Sequence, residues 1–203
     1  MPSPRILNRL GQAVLGLRDN AGFNSALEDT SVAITDNEPQ RATYGLFLSG
    51  IAPAATPTDL LVVQGSATKI IRIKSIMIAG TATSAANIIA NLIRRSAANT
   101  GGTVVAATAV ARDTGNDAAT ATVNRYTANA SALGTAVGTI DGGRLNLAPA
   151  ANGSIDRLMF QYTWQMDQAM VLRGVSQYLA LNLGGAAWPA GGVLDISMMW
   201  TEE

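Results

Sequence analysis

The 203-residue chain contains no cysteine and no histidine. Those two absences exclude a disulfide framework, a thiol nucleophile, a Ser-His-Asp relay and a zinc site built from nitrogen and sulfur ligands. Charge is scarce too: 14% of residues are charged, 14 basic against 14 acidic, where an average soluble domain carries about 25%. Proteins that grip phosphates cluster Lys and Arg. Here the sole lysines are Lys69 and Lys74 and the sole arginine doublet is Arg94-Arg95, so no direct nucleic-acid contact is expected. No run of about 18 apolar residues occurs, and no apolar signal segment follows Met1. Neither a membrane span nor export is expected, and the mature chain is expected to start near Met1.

What is abundant is small. Apolar residues make up 48% of the chain, but 35 of them are Ala, and there are 20 Gly, 19 Thr and 13 Asn. The larger apolar side chains suffice for one core, so one domain with an appendage is expected.

The appendage is N-terminal. Ile6, Leu10, Val14 and Leu17 recur at helical spacing behind Ser3 and Pro4, with Gly22 beyond them, which predicts a short amphipathic helix. From Asn20 to Arg41 the chain is acidic (Glu28, Asp29, Asp36, Glu38) and poor in large apolar residues. It reads as an extended arm that orders on a neighbouring subunit. Residues 1–43 are therefore assigned to a helix and docking arm, and 44–203 to one β domain.

Strand signals fill that domain. Leu158, Phe160, Tyr162 and Trp164 alternate with Met159, Gln161 and Thr163. Leu194, Ile196, Met198 and Trp200 alternate with Asp195, Ser197 and Met199. Leu179, Leu181 and Leu183 form a similar row, and Leu60 to Val63 a short apolar run. In Lys69 to Ile78, Ile71 and Ile73 hold one parity and Ile76 and Ile78 the other, so a β-bulge near Lys74-Ser75 is expected. Between Thr100 and Ala151 the recurrence of Val104, Val105, Val123, Tyr126, Val137, Ile140, Leu145 and Leu147 predicts further strands joined by tight loops. Residues 84–96 are ambiguous: Ala85, Ile88, Ile89, Leu92 and Ile93 suit a helix face at least as well as a strand.

Five stretches resemble a family of tailed-bacteriophage virion structural proteins: YGLFLSGIAPAATPTDLLVVQGSATKIIRIKSIMIAGTATSA (44–85), TGGT (100–103), DTGNDAATATVNRYTANASALGTAVGTID (113–141), QAMVLRGVSQYLALNLGG (168–185) and GVLDISMMWTEE (192–203). The resemblance implies an all-β fold, an antiparallel sandwich of jelly-roll type, with no catalytic activity and no cofactor. It also implies a strand over 84–96, which is the reading adopted. Its partners would be other virion proteins, the major capsid protein first, in a homo-oligomer, a trimer or larger ring, assembled in the host cytoplasm. Capsid decoration is the expected role; a tail, collar or fibre component is the alternative.

Several motifs suggest chemistry. Asp113-Thr114-Gly115 matches the aspartic-protease triplet, but Arg112 precedes it and a polar turn follows. A hydrolase using Asp113 and Asp117 is the rival from another class. Asp113, Asn116, Asp117 and Asp141 are oxygen donors of the kind Ca²⁺ takes, yet too few for six to eight ligands, so no metal is expected. Ser66-Ala67-Thr68-Lys69 fits Ser-x-x-Lys without its companion motifs and is expected to be a hairpin turn with an exposed lysine. Arg94-Arg95 with Arg72 and Lys74 is read as a basic patch or as solvated strand edges. Trp164 and Trp200 fall on core parity, whereas Trp188, in a Gly- and Ala-rich loop, is the candidate exposed anchor. The expected partner contacts are Ile6, Leu10, Val14, Leu17 and Trp188.

Overall fold

The computed structural model describes residues 41–153, 155–162 and 168–203. Residues 1–40 of the expected helix and arm, including Ile6, Leu10, Val14 and Leu17, lie outside the described residues, as does Trp164, while Ala42 and Thr43, assigned to the arm, open the first strand. What is described is all-β apart from one 3-10 turn at Ala150–Asn152. Twelve strands follow one another: β1 (Ala42–Ile51), β2 (Asp59–Gln64), β3 (Ile70–Thr81), β4 (Ala86–Arg95), β5 (Thr103–Ala107), β6 (Val110–Ala111), β7 (Thr122–Ala128), β8 (Ala136–Leu147), β9 (Arg157–Gln161), β10 (Met170–Arg173), β11 (Tyr178–Asn182) and β12 (Val193–Glu202).

They form two antiparallel six-stranded sheets. Sheet I has the order β10-β3-β12-β1-β6, with β9 sharing the β10 edge of β3; sheet II has the order β5-β7-β2-β11-β4-β8. The pairing is nested. β1 pairs β12, β2 pairs β11, β3 pairs β9 and β10, and β4 pairs β8, so early strands meet late ones in reverse order. The β12–β3 and β11–β4 pairs then join neighbouring turns of that ribbon.

Alternation decides what each strand buries, because successive side chains point to opposite faces. In β12, Leu194, Ile196, Met198 and Trp200 are all at most 1% exposed. Tyr44 stacks on Trp200 with ring centroids 5.9 Å apart. These side chains share one buried cluster with Leu61, Leu92, Leu145 and Leu181 of sheet II, which makes the two sheets sandwich-like. The fully buried β2 run has a second cover: Val62 leaves the main core and packs with Tyr126 and Ala180 under Ala130 and Tyr178.

The bulge in β3 is where the isoleucine parities require it. Met199 pairs Ser75 while Trp200 pairs Ile73, which leaves Lys74 as the extra residue. The shift lets Ile71, Ile73, Ile76 and Ile78 all face the core.

Residues 86–95 are a strand, not the helix that spacing alone favours. Ile88, Ala90 and Leu92 point inward, and Ile89 and Ile93 are half-buried on the outer face. Helical spacing arises because small Ala90 occupies an inward position between two outward isoleucines. The segment 65–69 is likewise not a hairpin. It joins β2 of sheet II to β3 of sheet I, and Lys69 is half-buried. Gly65 is required there, since a Cβ would sit 2.5 Å from the Gly174 carbonyl oxygen. Of the recurring apolar residues between 100 and 151, Val123, Tyr126, Leu145 and Leu147 are buried, whereas Val104, Val105, Val137 and Ile140 are exposed.

Candidate functional site

The carboxylates come first, since with no Cys or His they and the Ser66-Lys69 motif are the groups weighed for hydrolytic chemistry. Asp113 Oδ1 accepts the Gly115 N–H at 2.9 Å and its carbonyl accepts the Asn116 N–H at 3.1 Å. This closes an exposed Asx turn. Asp117 uses its backbone carbonyl to accept the Tyr44 hydroxyl at 2.8 Å. Asp141 lies elsewhere, on β8, where it accepts the Tyr162 hydroxyl at 3.1 Å. Burial, reinforced by that carboxylate, pushes the Tyr162 phenol well above its ordinary range. Ser66 Oγ accepts the N–H groups of Thr68 and Lys69, each at 3.2 Å, and so acts as a turn acceptor.

The arginine doublet is not a basic patch. Strand geometry sends its members to opposite faces. Arg94 donates through Nη2 to the Val171 carbonyl and to Gln177, both at 2.9 Å. Arg95 is 4% exposed and forks onto Asp59, Nε to Oδ2 at 2.7 Å and Nη2 to Oδ1 at 2.8 Å, while Nη1 reaches the Gly134 carbonyl at 2.6 Å. Asn99 and Asn182 complete the shell, donating to Asp59 at 2.9 and 2.7 Å. Asp59 thus accepts four bonds, the full capacity of a carboxylate. Arg72, flanked by β10 and β12 rather than on a strand edge, pairs with Glu203.

A second buried carboxylate links the sheets. Glu202, at the end of β12, accepts from Thr120 N–H and Oγ1–H, from Ala121 N–H and from Trp200 Nε1–H, at 2.6–3.1 Å. Burial alone would raise its pKa, but the bonds from Thr120, Ala121 and Trp200 outweigh it and hold the group below its ordinary value. Sequence reading missed both clusters. The signal available was an acid flush against an apolar run: Asp59 heads Leu60 to Val63, and Glu202 follows Trp200.

Trp188 is half-buried rather than fully exposed. Its Nε1 donates to the Gly192 carbonyl at 2.9 Å, and it lines a shallow groove with Asn87, Ile89 and Arg144. A Cβ on Gly192 would lie 2.5 Å from that nitrogen, so the glycine seats the indole. Arg144 Nη1 donates to Asn87, which donates to Asn146.

The most extensive feature is the outer face of sheet I. Phe47, Val110 and Met159 are 65%, 67% and 53% exposed. They share that face with half-buried Met77 and Met199 and with the small residues Gly45, Ser75 and Ser197. A groove of about 400 Å³ lies over Gly45, walled by Phe47, Val110 and Met199.

No family model, no curated protein and no solved structure matches the chain.

Proposed function

We propose that the protein is a non-enzymatic virion structural component that decorates the head shell of a tailed bacteriophage by binding other virion subunits. The observation that carries the reading is the nested pairing of the strands. Four pairs, β1 with β12, β2 with β11, β3 with β9 and β10, and β4 with β8, wrapped so that β12 meets β3 and β11 meets β4, support reading the sandwich as a jelly roll, a fold used by viral capsid proteins and by lectins and cupins. On this reading β5 to β7 are an insertion that widens both sheets beside β1 and β2. Fold analogy alone does not give function. Two further observations support it: described carboxylates such as Asp59, Asp113 and Glu202 serve structural hydrogen bonds, and an apolar sheet face is open to solvent. Residues 1–43 would dock a neighbouring subunit through Ile6, Leu10, Val14 and Leu17.

The test compares the full chain with a variant beginning at Thr43, in co-sedimentation with particles that lack the protein. Only the full chain is expected to bind. Failure of both to bind shells, with binding to tails or host cells instead, would replace decoration with a fibre role. That second reading is favoured by the groove in which Trp188 meets Asn87 and Arg144, an aromatic surface beside hydrogen-bonding groups. Under it, Trp188→Ala abolishes host-cell binding.

A further inference from the structure

We propose that the cleft between the two sheets, on the side where β10 and β8 are the edge strands, binds a small organic anion, a carboxylate carried on an apolar body. The inference is independent of where on a particle, or whether on one, the protein acts.

Alternation puts Arg94 in the inward row that Ile88, Ala90 and Leu92 begin, so its side chain enters the gap between the sheets. It is half-buried there. Nη2 crosses from sheet II to sheet I, donating to the Val171 carbonyl of β10 and to Gln177 Oε1, both at 2.9 Å. Gln177 Oε1 also accepts the Arg173 backbone N–H at 2.8 Å, so one side chain fixes the guanidinium of one arginine and the backbone of the other. The space before them is about 400 Å³, walled by Arg94 and Ile140 from sheet II, by Met170 and Arg173 from sheet I, and by Tyr162 and Gln168. Pockets that hold small ligands begin at about 300 Å³.

The charges in that cleft decide the class of ligand. Arg95, one position on, is closed by the Asp59 carboxylate. Arg94 has only neutral acceptors, and tying β4 to β10 needs no more than its Nη2. A guanidinium carries five N–H donors, so the Nε–H and both Nη1 hydrogens of Arg94 have no acceptor among the described residues. Neither Arg94 nor Arg173 makes an ion pair with a described residue, and no acid is among the described residues that wall the cleft. Asp141, next to Ile140 on β8, gives its oxygens to the Tyr162 hydroxyl at 3.1 Å and the Gly142 N–H at 2.8 Å. A half-buried cation has lost hydration that neutral acceptors only partly replace, and an anion restores it through charge-assisted bonds. The walls specify the rest of the ligand. Met170 is 7% and Ile140 45% exposed, an apolar base and rim that an inorganic anion would leave wet. A carboxylate on an apolar body covers them while its planar oxygens meet the guanidinium.

The test titrates phenylbutyrate into the full chain and follows it by heteronuclear NMR. Saturable shifts of the Arg94 and Arg173 Nε–H resonances and of the Met170 methyl are expected in the millimolar range. Phenylbutyramide keeps the body without the charge, and inorganic phosphate keeps a charge without the body; each is expected to bind at least about tenfold more weakly. Two variants probe the walls without touching the inward core. Ile140→Glu sets an acid on the exposed rim and Arg173→Gln removes the exposed cation, and each is expected to weaken phenylbutyrate about tenfold while leaving the amide unchanged. The absence of saturable shifts at these residues, an amide or a phosphate that binds as tightly as phenylbutyrate, or two variants that bind it like the parent would each overturn the proposal. Melting curves matched to the parent confirm that both variants are folded.

Discussion

Arg95→Leu is the most informative single change, because it leaves Asp59 in place. The carboxylate, its side chain fully buried, would lose its two bonds from the guanidinium and keep only those from Asn99 and Asn182. Hydrogen bonds to a charged group contribute about 1.5–3 kcal/mol each, and breaking a buried ion pair from one side costs about 3–5 kcal/mol. The two routes agree. The Gly134 carbonyl also loses its donor. For a chain of this size about 3–5 kcal/mol lowers Tm by about 6–20 °C. Urea unfolding followed by circular dichroism measures the loss directly, and the companion Asp59→Asn completes a double-mutant cycle. With both charges gone the double variant should be less damaged than the sum of the singles by about 2 kcal/mol. An Arg95→Leu loss below about 1 kcal/mol, or strictly additive singles, would show that the pair does not hold β2, β4 and β11 together as described.

Two further outcomes follow from the same logic. Glu202→Gln replaces an acceptor-only group with one that presents an amide to the donors of Thr120, and should cost about 2–4 kcal/mol at neutral pH; because the folded pKa of Glu202 is depressed, its contribution is present above the ordinary carboxylate range and lost as pH falls through the folded value, so urea midpoints measured against pH should drop in acid for the parent and flatten for the variant. Deleting Lys74 removes the extra residue of the bulge and forces either Ile71 and Ile73 or Ile76 and Ile78 to the outer face, a loss of about 3–6 kcal/mol of burial, whereas Lys74→Ala, which keeps the bulge, should cost less than about 1 kcal/mol in the same unfolding assay.

Period-two patterns were readable wherever one face of a strand is purely apolar. β12 shows this, and so does β3, where the change of parity placed the bulge near Lys74-Ser75 and the register puts it at Lys74. The pattern failed in β4 because both faces carry isoleucine: Ile89 lies against the Gly184 turn, where a Cβ on the glycine would come within 2.6 Å of it, so the outer face there is itself partly covered. Arg95 was unreadable for a different reason. A doublet looks like surface, and its partner Asp59 lies 36 positions away, a distance no local pattern spans. Similarly, Gly65 to Lys69 has the composition of a hairpin, and only the strand pairing reveals that it crosses between sheets.

The outer faces of the two sheets are finished differently around their central strands. On sheet II, Val62 and Ala180 are buried beneath Tyr126, with Ala130 and Tyr178 packed around them, and Asn87, Arg144, Asn146 and Asp156 form a connected polar network across the β4–β8 edge. Toward its two edges sheet II also leaves apolar side chains exposed, Val104 and Val105 on β5 and Val137 and Ile140 on β8. Sheet I has the same number of strands and no such cover among the described residues. Phe47, Val110 and Met159 stand more than half exposed in register with Met77 and Met199. Replacing these with Ser or Thr would leave the inward core of β1, β3 and β12 unchanged, since alternate residues serve the other face. Folding therefore does not require the apolar outer rows.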